Sequence, residues 1–368
     1  MIASRRETHT TVCCAHPYFG FVCTPNTIID FSDRVPAEFN HPASATIDAN
    51  GFRNEGVPVS KPDDEFWIGV FGGSVAFGVP ATDNGATIAG CLERRLNAAP
   101  RPGGKRVRAI NFAIPGGQQP QQLLVLTLHR HLLDGVVTFD GVNEVVVPSC
   151  YNKDHVPPQF PYLPYYEVLF GQAINEEQVC ESMIVERKTA RFRSRPAWQQ
   201  RLLSPFHARE MKGHRDRLNA AASASAEFRS IFGGAGGVPA TTLALEGARR
   251  WADDSALMGE VCRARGIESL FVVQPIPDRA KALTGTERAH LEVQPDIVAI
   301  RAAGYARVLE HAAELRAAGC PAVSFEDVFA GCAQSIYTDM IHFEDRGSAI
   351  VADRLAEWIG RAWTGFSR

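Results

Sequence analysis

Five short runs of apolar, often β-branched residues divide the chain, and each indicates a buried strand. They occupy residues 66–72, 106–112, 135–141, 268–275 and 321–327. Segments with helical spacing of apolar positions follow or separate them, at 87–99, 120–133, 299–319 and 347–363. Nearly all-apolar strands that alternate with helices are typical of a parallel sheet covered on both faces. The pattern therefore predicts an α/β fold.

Two regions depart from this alternation. Residues 1–65 are rich in Pro, Asn and Asp and predict an extended N-terminal arm packed on the core. Residues 151–245 interrupt the third strand–helix unit and predict a mainly helical insertion, a lid or cap. The core is then expected to consist of residues 66–150 and 246–368.

The insertion begins with aromatic residues and prolines and continues into a basic stretch. We consider Tyr162, Tyr165 and Tyr166 as substrate contacts, the alternative being a local hydrophobic cap. Between residues 187 and 217 the chain has ten Lys or Arg against Glu210 and Asp216. That stretch could attract an anionic substrate or a membrane surface, but a solvated helical face is the favoured interpretation.

Composition and charge exclude several kinds of partner. The chain has 368 residues, 45% of them hydrophobic, and a formal net charge of −3. Nothing in this balance suggests nucleic acid as a partner, and no uncharged run approaches transmembrane length, so membrane association is not indicated. The nine cysteines form no C-x-x-C pair, which leaves a zinc ribbon unsupported. Unpatterned cysteines and the lack of a recognisable signal peptide predict a cytoplasmic protein, of open oligomeric state.

The stretch "FGGSVAFGV" at 71–79 places Ser74 between the first strand and a helical segment. Ligands of parallel α/β sheets bind at the carboxyl ends of strands, which makes Ser74 a candidate nucleophile. The elbow motif G-x-S-x-G is not met, because residue 76 is Ala. Alone, the stretch favours a turn serine or a helix N-cap over a nucleophile.

Other candidate groups also follow strands. Gly116 comes after the second strand, where its backbone N–H could approach a ligand. Asn143 comes after the third strand, and its amide offers two donors. Asp339 and His342 precede the last helix. On one turn, that carboxylate could accept the imidazole Nδ1–H and leave Nε2 free to take a proton from a serine.

Four blocks resemble those of the SGNH (GDSL-like) hydrolase family, in its order and spacing. "GGSVAFG" resembles the nucleophile block, "NFAIPG" the glycine block, "GVNE" the asparagine block and "DMIH" the terminal block. The likeness covers about 66–150 and 265–365, and the N-terminal "IDANGFRN" also resembles a bacterial subgroup with an extended arm. It implies a flavodoxin-like three-layer α/β/α sandwich with five parallel strands in the order 2-1-3-4-5.

Two positions depart from the family pattern. Gly73 stands where the family has an aspartate before the nucleophile, and Glu144 replaces the aspartate that follows the block-three asparagine. Neither change removes a catalytic group. Both bear on how the loops around the nucleophile are held.

The resemblance implies a role for each residue in the blocks. Ser74 would attack an ester carbonyl, His342 would accept and return the proton, and Asp339 would hold the histidine tautomer. The backbone N–H groups of Ser74 and Gly116 and the Asn143 amide would stabilise the oxyanion. This chemistry requires no metal and no organic cofactor.

The expected activity is serine esterase or deacylase action on a small-molecule or glycan ester. An O-acyltransferase of polysaccharide or secondary-metabolite tailoring would use the same acyl-enzyme, and the sequence does not separate the two. A non-catalytic binding protein on the same fold is the third possibility. The presence of Ser74, Asn143, Asp339 and His342 together argues against it.

Overall fold

The computed structural model describes residues 13–98, 104–152, 188, 192, 195–196, 198–214 and 237–366. Tyr162, Tyr165, Tyr166 and most of the expected insertion at 151–245 lie outside the described residues.

The described chain alternates strands and helices after four short N-terminal strands. The strands are β1 (Cys13–His16), β2 (Gly20–Cys23), β3 (Ile28–Asp30), β4 (Ser44–Thr46), β5 (Glu65–Gly72), β6 (Arg106–Asn111), β7 (Gly135–Asp140), β8 (Glu268–Val273) and β9 (Ala322–Ser324). The α-helices are α1 (Ser74–Phe77), α2 (Ile88–Leu96), α3 (Gln121–His129), α4 (Asn143–Val146), α5 (Ala240–Arg265), α6 (Gly285–Glu292), α7 (Pro295–Ala317) and α8 (Asp345–Ala362). Helix α5 begins before the boundary predicted at residue 245.

The central sheet has five parallel strands in the order β6-β5-β7-β8-β9. Counted along the sheet strands alone, this order is 2-1-3-4-5, so the predicted three-layer fold is confirmed. Successive side chains of a strand face opposite layers, and the apolar residues of each strand therefore divide between two cores. Trp67 and Phe71 pack toward α3, α5 and α7, whereas Ile68 and Val70 pack toward α2 and α8.

The N-terminal arm forms two antiparallel strand pairs of its own, β1 with β2 and β3 with β4. Its buried residues Phe19 and Phe21 pack in the same apolar cluster as Phe71 of the sheet. Arg53, with 1% of its surface exposed, joins the arm to the end of α1. Its guanidinium donates to the carbonyls of Gly78 and Ser44, both at 2.6 Å, and to the side chain of Asn84 at 3.0 Å. Burial outweighs the neighbouring carboxylates of Asp83 and Asp345 and lowers the pKa of Arg53 to about 10, so the guanidinium needs these acceptors.

Side chains occupy the outer edge of strand β6. Asn97 Oδ1 accepts the Val107 N–H at 2.9 Å and its Nδ2 donates to the Val107 carbonyl at 2.8 Å. Asn54 makes the same two contacts with Asn111, each at 3.0 Å. Two asparagine amides thus replace the peptide groups of a missing neighbouring strand.

No helix of the described ranges is long and apolar enough to cross a membrane.

We expect Asn54→Ala to lower the free energy of unfolding by about 1–3 kcal/mol. The substitution removes both partners of a buried backbone group, and the Asn111 N–H and carbonyl are left unsatisfied. Urea unfolding of the variant beside Glu55→Ala, an exposed neighbour, measures the effect. Equal stabilities of the two variants would contradict the prediction.

Candidate active site

The candidate nucleophile, Ser74, is the first residue of α1, and only Gly73 separates it from β5. Gly72 makes this abrupt turn possible, because its φ is +149° and a Cβ there would lie 2.3 Å from the Phe139 carbonyl oxygen. Gly78 ends the helix in the left-handed region, and its N–H donates to the carbonyls of Ser74 at 3.0 Å and Val75 at 3.1 Å. Glycine at both ends therefore holds a single helical turn.

Three side chains form a continuous hydrogen-bonded chain. His342 Nε2 lies 2.7 Å from Ser74 Oγ, and His342 Nδ1 lies 2.6 Å from Asp339 Oδ2. The second carboxylate oxygen, Oδ1, accepts the backbone N–H groups of Ile341 and His342, each at 2.7 Å. The sequence predicted that one turn could carry such a pair, and the structure brings both residues to Ser74.

The carboxyl group of Asp339 stays ionised. Partial burial raises its pKa, but the neighbouring His342 and the two backbone donors outweigh this effect and hold the pKa well below its ordinary value. The carboxylate can therefore accept a hydrogen bond from the imidazole Nδ1–H across the neutral pH range.

Buried Glu287 supports the segment that leads to Asp339. Its Oε1 accepts the N–H groups of Ile336 at 2.9 Å and Tyr337 at 3.1 Å. Its Oε2 pairs with Lys281 Nζ at 2.7 Å, and the two side chains are 0% and 1% exposed. Such a pair fixes geometry, because removal of either partner would leave a buried charge uncompensated.

A second buried cation holds the turn itself. Arg301, whose side chain is fully buried, donates to the Met340 carbonyl and pairs with Asp278. Just past the turn, Asp345 accepts the Thr82 N–H at 3.0 Å, which joins the start of α8 to the chain that follows α1. The histidine segment is thus fixed relative to the segment that bears Ser74.

Asn143 packs directly against the nucleophile turn. Its Nδ2 donates to the Gly117 carbonyl at 2.7 Å. A Cβ at residue 73 would lie 2.1 Å from that nitrogen. The Asn143 amide thus occupies the space that the Cβ of any other residue at position 73 would take.

The site opens into a cavity of about 290 Å³ that Ser74, Gly116, Asn143 and His342 line together. Gly116 adopts a φ of +73°, a conformation that glycine tolerates without strain. Two larger cavities, of about 350 and 390 Å³, contain none of these residues. Residue chemistry rather than cavity size therefore identifies the candidate site.

The N-terminal arm forms one wall of this cavity, which the sequence did not predict. The lining residues of the arm are Ile29, Asp30, Phe31, Asp33 and Arg34. Ile29 and Phe31 are buried whereas Ile28 and Asp30 are exposed, and the sequence carries no clean alternation that could have signalled this, because Ile28 is apolar as well. Tyr151, at the start of the expected insertion, also lines the cavity.

Two buried carboxyl groups lie behind the site. Asp140 and Glu144 are 1% and 3% exposed. Asp140 Oδ1 accepts the Trp251 indole N–H at 2.6 Å. Burial raises the pKa of both groups, and the Asp140 charge raises the pKa of Glu144 further. Burial and their mutual repulsion therefore disfavour the ionisation of both groups at once.

Among the described residues, no group of three or more His, Cys, Asp or Glu side chains is placed to hold a metal ion.

Three solved structures are similar to this chain, each over 80% of its length. A lipase/acylhydrolase from Enterococcus faecalis matches at 11% identity over 95% of its own chain, with a TM-score of 0.38. An acetyl xylan esterase (11% identity, 100% of its chain) and a putative arylesterase from Agrobacterium tumefaciens str. C58 (15%, 98%) both match at a TM-score of 0.36. No protein-family model and no curated protein matches the chain.

We expect Gly73→Ala to destabilise the protein by about 1–3 kcal/mol, the usual effect of forcing an extra methyl group into a packed site. The new Cβ has to displace the Asn143 amide. Gly360→Ala is the matched control, because Gly360 is an exposed residue in the last turn of α8 with open space around its Cβ position. That control should gain stability, by about 0.5–1 kcal/mol. Urea unfolding would contradict the expectation if both variants shifted in the same direction.

We expect Asp140→Asn to gain stability relative to the wild type as pH rises. Because the folded state holds a proton that the unfolded chain releases above about pH 4, the wild type loses stability from there toward neutrality. Asparagine keeps an oxygen for Trp251 and does not titrate. Urea unfolding between about pH 5 and 8 measures the difference, with exposed Asp63→Asn as control. A difference that does not change with pH would exclude this account.

Proposed function

We propose that the chain is a serine esterase or deacylase that acts through an acyl-enzyme. The observation that carries the proposal is the hydrogen-bonded chain from Ser74 Oγ through His342 to Asp339, with separations of 2.7 and 2.6 Å. A serine within reach of a base, and a base oriented by a third group, are the requirements for an activated nucleophile. The four sequence blocks of the SGNH resemblance converge on the same cavity.

In the proposed mechanism, Ser74 Oγ attacks the carbonyl carbon of the ester while its proton passes to His342 Nε2. Asp339 accepts the hydrogen bond from Nδ1 and stabilises the imidazolium. When the tetrahedral intermediate collapses, His342 returns the proton to the departing alcohol and the acyl group stays on Ser74. Water activated by His342 then releases the acid and regenerates the serine.

The oxyanion is proposed to bind the backbone N–H groups of Ser74 and Gly116 and the Asn143 amide. Two features support this assignment: all three residues line the same cavity, and the Asn143 amide approaches the nucleophile turn closely. Each donor of such a site typically contributes about 3 kcal/mol to the stabilisation of the transition state.

The cavity favours a small substrate. Its volume of about 290 Å³ is at the lower end of ligand pockets, and its apolar lining includes Val146, Val147 and Ile341. We therefore propose a short O-acyl group as the part that enters, whether the alcohol belongs to a small molecule or to a glycan.

Ser74→Ala and His342→Ala are each expected to lower kcat/KM for p-nitrophenyl acetate by about a thousandfold or more, because each removes a member of a cooperative unit. Labelling of Ser74 by a fluorophosphonate probe, mapped to its peptide by mass spectrometry, identifies the nucleophile. Exposed Ser60→Ala controls for loss of a hydroxyl and should label as the wild type does.

Unchanged turnover by Ser74→Ala would refute the nucleophile assignment, and a wild type with neither turnover nor labelling would refute the esterase. The same assay separates hydrolysis from O-acyl transfer when a competing alcohol is added. Transfer products that dominate over free acid would identify the acyltransferase instead.

A further inference from the structure

Two of the three loops that carry the proposed oxyanion donors, those with Gly116 and Asn143, meet on one buried side chain, Glu144. Its Oε1 accepts the N–H of Gln119 at 3.1 Å, and its Oε2 accepts the N–H of Gly141 at 2.9 Å. Gln122 Nε2 also donates to Oε1, at 3.4 Å. One carboxyl group therefore joins the chain after β6 to the chain after β7.

This bridge encloses the contact that fixes Asn143. Gln119 is two residues beyond Gly117, whose carbonyl accepts from Asn143 Nδ2 at 2.7 Å. Gly141 is two residues before Asn143 in the opposite loop. The Glu144 bridge and the Asn143–Gly117 contact thus join the same two loops at two neighbouring points, which restricts both sliding and separation.

The turn around Glu144 cannot shift freely in other directions. A Cβ at Gly247 of α5 would lie 1.9 Å from the Glu144 carbonyl oxygen. A Cβ at Gly304 of α7 would lie 2.3 Å from a methyl group of Val145. Two helices thus press their backbones against α4. We therefore expect a change in the carboxyl group to act on the Asn143–Gly117 contact that the bridge encloses.

We propose that Glu144 is a positioning residue that sets the place of the Asn143 amide and the Gly116–Gly117 loop relative to Ser74. The inference rests on the proposed esterase function and extends it to a side chain that touches no substrate. The extra methylene relative to the family's aspartate lets one carboxyl group reach both N–H donors.

Two conservative substitutions of Glu144 test the proposal. Glu144→Gln keeps the length but retains only one acceptor oxygen, and Glu144→Asp keeps the carboxyl group but shortens its reach. We expect kcat for p-nitrophenyl acetate to fall by about ten- to a hundredfold in each, with KM changed by about twofold or less, because a displacement of 1 Å can lower a rate about a hundredfold.

A double-mutant cycle with Asn143→Ala separates positioning from general stability. If Glu144 acts through the Asn143 amide, Glu144→Gln should lower kcat by only about twofold once that amide is gone. Asp48→Ala is the matched control, because it removes the Oδ1 of buried Asp48, which accepts the N–H groups of Asn50 at 2.8 Å and Phe52 at 3.0 Å in the arm. That variant should lose thermal stability and keep kcat unchanged. Additive effects, or unchanged kcat in both Glu144 variants, overturn the inference.

A crystal structure of Glu144→Gln gives a test that needs no activity. The separation of Asn143 Nδ2 from the Gly117 carbonyl oxygen should exceed about 3.5 Å, beyond hydrogen-bond range. A contact that remains at 2.7 Å overturns the positioning role, even in a fully active protein. A wild type without turnover or labelling would refute the esterase alone, and the crystal structure would still decide the bridge.

Discussion

The geometry of the site depends on one close approach, that of the Asn143 amide to the backbone of Gly73. The nitrogen lies where the first atom of a side chain at residue 73 would stand. Only glycine permits this contact. The contact holds the loop after the first sheet strand directly against the loop after the third. The Gly117 carbonyl adds the loop after the second strand, because it accepts from the same amide nitrogen. A single side-chain amide thus links the loops that follow three strands.

Buried polar groups, rather than apolar packing alone, hold the segments around that contact. Glu144, Glu287 and Arg53 each bind backbone groups of loops that are distant in sequence. Since a buried charge is tolerated only with its partners in place, each arrangement admits few alternatives. As a consequence, carboxyl groups with raised pKa values lie directly behind the loops, so the rigidity of the site depends on pH.

Much of the fold could be predicted because nearly continuous apolar runs mark buried parallel strands, and the strand order came from the family resemblance. The last strand is shorter than its apolar run: only Ala322–Ser324 pairs, because neighbouring β8 ends at Val273. Helix α5 was expected only as the helix that completes the third strand–helix unit, and its range was not predicted. Its buried face is rich in small residues such as Ala244, Gly247 and Ala248, which carry little hydropathic signal. The residues of the candidate triad stood in recognisable blocks. The bracing role of Glu287 was not visible, because a glutamate in a capping box usually belongs to a helix surface.

The asparagine side chains along β6 have a consequence for how this molecule meets other copies of itself. An open sheet edge is a template on which a second chain can add a strand and begin aggregation. Here Asn54 and Asn97 already engage the outward peptide groups of Asn111 and Val107, and Glu93 accepts the N–H of Ala109 at 2.9 Å. An incoming strand would have to break these contacts before it formed any of its own. At the other end of the sheet, β9 offers a template of only three residues.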